Sequence, residues 1–285
     1  MNDAILKLED VSYRYSDGTR ALDNCSLTVR RGTRTAVLGV NGAGKTTMFL
    51  HLNGILRPTA GQVLCEGIPL DYSRSGMRTL RSRVGMVFQN PDSQLFSASV
   101  REDVSFGPMN LGLEEAVVRT RVEEALLAVG MTDSADKPVH NLSYGQKKRV
   151  CIAGVLAMQP EIVILDEPMA GLDVDMQEEL TDILERLHAA GMTIVIATHD
   201  LDFAYGWADE VIVMQNGRLL AHGVPATILL QEDVQGNLGA APLVAEITRL
   251  LSLIGIDLRD KGYLPRCKSE LLNALNEHTR EENRP

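Results

Sequence analysis

A chain of 285 residues that is 45% hydrophobic and 23% charged can bury one large core, or one domain with a small appendage, in the manner of soluble globular proteins. No apolar run approaches the roughly 18 to 20 residues that span a bilayer. The opening MNDAILKLED has neither a basic segment nor a long apolar stretch, so no secretory signal is predicted and the chain is expected in the cytosol. The net charge of −10, with basic residues gathered mainly at 147–149 and 78–83, argues against nucleic acid as a partner. Cys25, Cys65, Cys151 and Cys267 are scattered and read as reduced thiols, and the six histidines lack metal-ligand spacing.

Leu6 and Leu8, then Val11, Tyr13 and Tyr15, fall at strand spacing. Asp17 and Gly18 make a turn, Cys25, Leu27 and Val29 continue on an antiparallel strand, and residues 61–65 form another. Residues 35–38 are a short buried strand running into a glycine loop, and residues 45–56 read as a helix closed by Pro58. Residues 84–88 read as a strand. From about 92 to 158 the pattern becomes mostly helical. Ser99 and Glu102 form a capping box, Val118, Val122, Ala125, Leu126 and Val129 recur at helical spacing, and a basic helix covers 146–158. The α/β rhythm then returns. Strands at 162–165 and 193–197 flank an amphipathic helix at 176–189, and Asn216 and Gly217 mark a hairpin. Beyond Pro225, Leu243, Val244, Ile247, Leu250 and Leu251 make one apolar helix stripe, and Leu271, Leu272 and Leu275 another.

Gly39, Val40, Asn41, Gly42, Ala43, Gly44, Lys45 and Thr46 fit G-x-x-x-x-G-K-[ST], after a strand and before a helix, the context that gives the motif its meaning. Glycines let backbone N–H groups close around phosphate oxygens, and the helix start adds partial positive charge. Lys45 then reaches the β- and γ-phosphates, and the Thr46 hydroxyl ligates Mg²⁺. Asp166, at the end of an Ile-Val-Ile-Leu strand, suits an outer-sphere Mg²⁺ partner, because Mg²⁺ keeps several waters. Glu167 follows, a carboxylate able to orient and deprotonate water. His199 lies just beyond another strand's carboxyl end, where α/β ligands bind. Gln89 is a neutral group able to meet Mg²⁺ or water, although a Gln in such a place is more often structural. Ser143 and Gly145 precede the basic helix and resemble a second anion-binding helix start.

In this order, over about residues 5–225, the motifs resemble the nucleotide-binding subunit of ATP-binding-cassette transporters. The resemblance implies an α/β fold: a P-loop NTPase cassette with an antiparallel β subdomain, the helical insert and a short helical C-terminal tail. It divides the chain into a cassette at 1–225 and a helical extension at 226–285. It implies an adenine-stacking Tyr15, a Walker A loop from Gly39 to Thr47, and a Q-loop Gln89. It also implies a signature of Ser143, Tyr144, Gly145 and Gln146, a Walker B strand with Asp166 and catalytic Glu167, a D-loop Asp173 and a switch His199. Two such cassettes meet head to tail, the signature of one gripping the γ-phosphate held by the Walker A loop of the other. Tyr144 departs from the commonest signature, which has Gly there, and Met169 stands where Thr is commoner.

The stretches FQNPDSQLF, EDVSFGPMNLGL and LSYGQKKRVCIAGVLAMQP resemble the cobalt-type ATPase of energy-coupling-factor importers more finely. That resemblance implies Mg-ATP hydrolysis at the cytoplasmic face of a bacterial inner membrane. Its partners are a second ATPase subunit, expected as a homodimer, a membrane coupling protein and a substrate-capture protein. Cobalt is the expected cargo, with nickel next. A vitamin importer's ATPase, a soluble cassette acting in translation or DNA repair, and a P-loop nucleotide kinase are the rivals. The 89–96 loop and the helical insert would form the groove for the coupling protein. Leu95 and Phe96 read equally as exposed anchors or as buried residues, and the tail either joins two subunits or packs on its own cassette.

Overall fold

The computed structural model describes residues 3–254, 256, 258 and 264–282. Its first strands, β1 (Ala4–Arg14) and β2 (Arg20–Arg30), pair antiparallel. The apolar alternation in β1 changes phase, from Leu6 and Leu8 to Val11 and Tyr13. The register shifts between Leu8 and Val11, where Asp10 takes φ +50°, so an irregularity in the ladder keeps both sets on the inner side.

Strand β3 (Arg34–Leu38) leads to helix α1 (Lys45–Leu52), and β4 (Ala60–Cys65) and β5 (Ile68–Pro69) complete a four-stranded antiparallel sheet in the order β2-β1-β4-β5. Helix α1 is shorter than the expected 45–56. Gly54, at φ +69°, donates to His51 O and Ile55 N donates to Leu50 O, a Schellman closure that ends the helix well before Pro58.

A second helix, α2 (Arg74–Arg83), had no clear sequence signal: it buries only Leu80. Strand β6 (Val84–Val87) precedes the helical insert, α3 (Val100–Asn110), α4 (Glu115–Ala128) and α5 (Tyr144–Leu156). Both α3 and α5 start with a formed capping box, at Ser99/Glu102 and at Ser143/Gln146. The basic helix therefore begins at Tyr144, two residues before its expected start.

Strand β7 (Ile162–Asp166), helix α6 (Val174–Ala189), strand β8 (Thr193–Ala197), helix α7 (Leu201–Trp207) and strands β9 (Glu210–Gln215) and β10 (Arg218–Gly223) follow. The central sheet has the order β10-β9-β3-β8-β7-β6, parallel except for β10. Both its faces are covered, which is why its strands read as unbroken apolar runs. Ile162 and Ile164 face the antiparallel sheet together with Met48 and Phe49 of α1. Val163 and Leu165 face the insert, α6 and α7.

The chain continues through α8 (Pro225–Ile228), α9 (Glu232–Leu238), α10 (Leu243–Leu253) and α11 (Lys268–Glu282). Ile228, Leu229, Val234 and Ala245 join the main core, so that core extends past the hairpin at Asn216 and Gly217. Val244 and Leu271 form a small cluster with Ile247, Leu251 and Leu275, while Leu243, Leu250 and Leu272 stay exposed. The Arg266 guanidinium donates to Tyr205 O at 2.9 Å, and to Ala208 O, tying the tail to α7. Among the described residues no helix is long and apolar enough to cross a membrane.

Candidate active site

The loop between β3 and α1 is shaped by glycine where no other residue fits. Gly39 has φ +150°, and a Cβ there would run into the backbone oxygen of Met214. Gly44 caps α1 at φ +103°, and a Cβ there would lie 2.6 Å from Ala21 O. No acidic residue occupies the first turn of α1, so the positive end of that helix is left for an anion. Lys45 is buried, and its ammonium donates to Gly39 O at 2.6 Å, which holds the charge across the loop.

The Thr46 hydroxyl donates to Asp166 Oδ2 at 2.6 Å. Asp166 is only 4% exposed, and burial pushes its carboxyl up from the usual range, against the opposing pull of Thr46 and Lys45. A desolvated carboxylate beside a hydroxyl is a hard oxygen donor set, and it fits Mg²⁺ bound jointly with phosphates. Glu167 follows at φ +46°, a conformation uncommon outside glycine and a mark of strain at functional positions. Its backbone N–H donates to Ala197 O on the neighbouring strand. Its carboxylate accepts from His199 Nδ1 at 2.9 Å. The His199 ring is mostly exposed, so it reaches Glu167 from the solvent side of the cleft.

One open cleft of about 660 Å³ gathers Tyr15, Gly39, Asn41, Gly42, Ala43, Gly44, Lys45, Thr46, Thr47, Gln89, Asp166, Glu167 and His199. Tyr15 stands just past the end of β1. Its hydroxyl lies 3.0 Å from Thr47 Oγ1 and its ring meets Tyr13 edge-on at 5.1 Å, leaving a partly exposed face for a base to stack on. Thr19, Arg20, Ala21, Leu201 and Leu238 also line the cleft. None carried a signal in the sequence. The first three arrive through the β1–β2 hairpin, and Leu238 arrives from α9 in the extension.

The signature lies outside this cleft. Ser143 is exposed, and its hydroxyl caps α5 by accepting from Gln146 N at 3.3 Å. Gly145 is buried against α6, where an added Cβ would meet Met176 Sδ at 2.6 Å. Asp173 caps α6, accepting from Met176 N at 2.9 Å. Tyr144 alone reaches toward the cleft, donating through its hydroxyl to Gln89 O at 3.3 Å.

A family model described as "ABC transporter" matches residues 22–170. The chain is 46% identical over 272 residues to the energy-coupling factor transporter ATP-binding protein EcfA of Methanothermobacter thermautotrophicus, covering 95% of this chain and 88% of that protein. It is 46% identical over 276 residues to the cobalt import ATP-binding protein CbiO of Rhodobacter capsulatus, covering 97% of this chain and 99% of that one. Among solved structures it resembles cbiO1 from Clostridium perfringens, part of the ABC transporter complex cbiONQ, with a TM-score of 0.75 and 46% identity over 89% of this chain and 98% of that chain. The fold, the phosphate loop and the extent of these likenesses agree: the chain belongs to the ABC transporter family, as an ATP-hydrolysing subunit related to the EcfA and CbiO proteins.

Proposed function

We propose that this chain energises uptake of cobalt, with nickel as the next candidate, from the cytoplasmic face of a bacterial inner membrane. The observation that carries the choice of cargo is the likeness to the cobalt import protein over 97% of this chain. Two copies would meet head to tail, each Walker A loop facing the other copy's Ser143 and Gly145. The exposure of Ser143 outside its own cleft supports that arrangement. The exposed Leu243, Leu250 and Leu272 of the tail would add contacts between copies.

In the closed site the loop amides and Lys45 would hold the β- and γ-phosphates, Tyr15 would stack on adenine, and Thr46, Asp166 and Gln89 would hold Mg²⁺ directly or through water. The metal supplies neutralisation of phosphate charge. Glu167 takes a proton from water as the water oxygen bonds to the γ-phosphorus and the bond from that phosphorus to the bridging oxygen breaks, giving ADP and phosphate. His199, whose Nδ1 lies 2.9 Å from the Glu167 carboxylate, would orient it.

A second cleft of about 740 Å³ opens between α2 and the insert. It is lined by Met77, Phe88, Leu95, Phe96, Phe106 and Met158, among others. Leu95 packs half-buried against the core, whereas Phe96 is 65% exposed and meets Phe106 edge-on at 4.7 Å. The two residues thus divide between the readings of buried residue and exposed anchor. An exposed aromatic pair over an apolar groove suits a segment of the membrane coupling protein, which in turn would meet the substrate-capture protein. Cobalt uptake by vesicles carrying the assembled importer tests the cargo. ATP-dependent Co²⁺ accumulation is expected, and ATP-dependent vitamin uptake without Co²⁺ would overturn that choice.

A further inference from the structure

Helix α5 starts at the signature, and one turn in stands a lysine that neither the phosphate loop nor the base assignment uses. Lys148 is 2% exposed. A lysine is almost never so buried unless its charge is matched. Among the described residues no carboxylate lies in ion-pair range of its ammonium. Instead its three N–H donors meet three backbone acceptors: Glu167 O at 3.1 Å, Pro168 O at 2.7 Å and Ala170 O at 2.8 Å. All three belong to the turn that begins with Glu167 and is closed by Ala170 N donating to Glu167 O at 3.2 Å.

Tyr144, four residues earlier on the same helix face, extends the contact. Its ring lies 5.3 Å from the Lys148 ammonium, in cation–π range. The ring also covers Gly171, where an added Cβ would come within 3.0 Å of it. With its hydroxyl on Gln89 O, the first turn of α5 touches the backbone of the Q-loop, of the Glu167 turn and of the segment leading to Asp173. Burial draws the Lys148 ammonium down to about 8, so the site is desolvated enough for each carbonyl contact to matter.

The three contacts satisfy every donor of the buried ammonium, and all of them fall on the one turn that carries Glu167. The backbone of Glu167 is strained at φ +46°, and such a conformation persists where its surroundings over-determine it. We infer that Lys148 is a positioning residue. It fastens the Glu167 turn to the signature helix, so that closure of the signature on a second copy's nucleotide sets the carboxylate of Glu167 over the nucleotide of its own chain. This rests on Glu167 being the base and on the signature acting across the dimer.

The test compares Lys148→Met, Lys148→Gln, Lys148→Arg and Glu167→Gln in the full-length dimer, with turnover normalised to titrated ATP sites and Tm recorded for each. Methionine fills the space without donors, glutamine keeps a neutral donor, and arginine keeps charge and donors. Turnover per site is expected to fall roughly 10- to 100-fold in Lys148→Met, the scale of a misplaced catalytic group. Lys148→Gln should be intermediate and Lys148→Arg nearest to wild type, with ATP affinity unchanged within about threefold across the series. If Lys148→Met fails to fold, the Gln and Arg variants carry the comparison. Equal turnover per site in all folded Lys148 variants, with Glu167→Gln inactive, overturns the inference. A loss of turnover that only parallels a loss of ATP affinity overturns it as well. Wild-type turnover in Glu167→Gln would instead overturn the assignment of the base.

Discussion

Replacing Glu167 by Gln isolates one chemical property. Size and shape are kept, and the amide oxygen can still accept from His199 Nδ1, which now lies 2.9 Å from the carboxylate. The backbone at φ +46° asks nothing new of Gln, since Glu already bears whatever strain that conformation holds. Lys148 keeps its three carbonyl acceptors, because they are main-chain atoms. Thr46 keeps its bond to Asp166, so the proposed Mg²⁺ donors are untouched. What disappears is a carboxylate able to take a proton. Removing a general base costs roughly 10²- to 10⁴-fold in turnover, or about 3 to 5 kcal/mol of barrier. ATP affinity should change little, and the ATP-bound dimer should persist instead of reopening. Phosphate release from the dimer with its membrane partners measures the first effect, and sedimentation with and without ATP the second. Turnover within a few-fold of wild type would refute the base assignment.

Lys45→Ala should abolish tight Mg-ATP binding in equilibrium titration, since a charge-assisted contact to phosphate is lost; dimers that mix it with Ser143→Arg should regain one nucleotide per dimer, and failure to do so would count against a signature acting across the interface. Glu161 is held down to about 2, first by its hydrogen bond with Arg83 at 2.5 Å and also by Arg31 at 2.6 Å. A depressed carboxyl stabilises above its unfolded value near 4.5 and loses that contribution as pH falls toward 2. The urea stability gap between wild type and Glu161→Gln should therefore be at most about 1 kcal/mol at neutral pH, for a pair this open to solvent, and close across that acid window. Truncation after Leu238 spares Ile228, Leu229 and Val234 of the main core, losing Ala245 from it, and should leave a folded chain that is monomeric without nucleotide; a folded, fully dimeric product would refute a joining role for the tail.

The parts of the site that could be read in the sequence were those whose chemistry is local. The glycine loop is fixed by its own backbone, and Asp166 and Glu167 follow from a strand buried on both faces. The capping box at Ser99 is written within four residues. What escaped depended on tertiary placement. Helix α2 lacks an apolar stripe because it covers the core with a single buried leucine. Leu238 enters the cleft only through the path of α9. The run Lys147, Lys148 and Arg149 reads as one basic patch, yet its members have three different surroundings. Lys147 pairs with Asp92 at 2.7 Å, Arg149 with Glu179 at 3.3 Å, and Lys148 turns inward to carbonyls. Residue type alone does not separate these, because the direction of each side chain is set by the turn of the helix.

Tyr144 shows how a departure from the commonest signature fits the geometry. As the first residue of α5 it needs only ordinary helical backbone, and Ser143 before it is extended, at φ −61° and ψ 162°. Neither position asks for glycine. The close approach lies one residue on, where Gly145 faces Met176 of α6. The tyrosine ring can therefore be present without changing the backbone that Ser143 and Gly145 offer to an anion. Its partners, Gln89, Gly171 and Lys148, belong to its own chain. The proposed grip on a second copy's phosphate and the inferred brace on the Glu167 turn would thus use different parts of one helical turn: the exposed Ser143 for the first, the Tyr144 and Lys148 side chains, which contact their own chain, for the second.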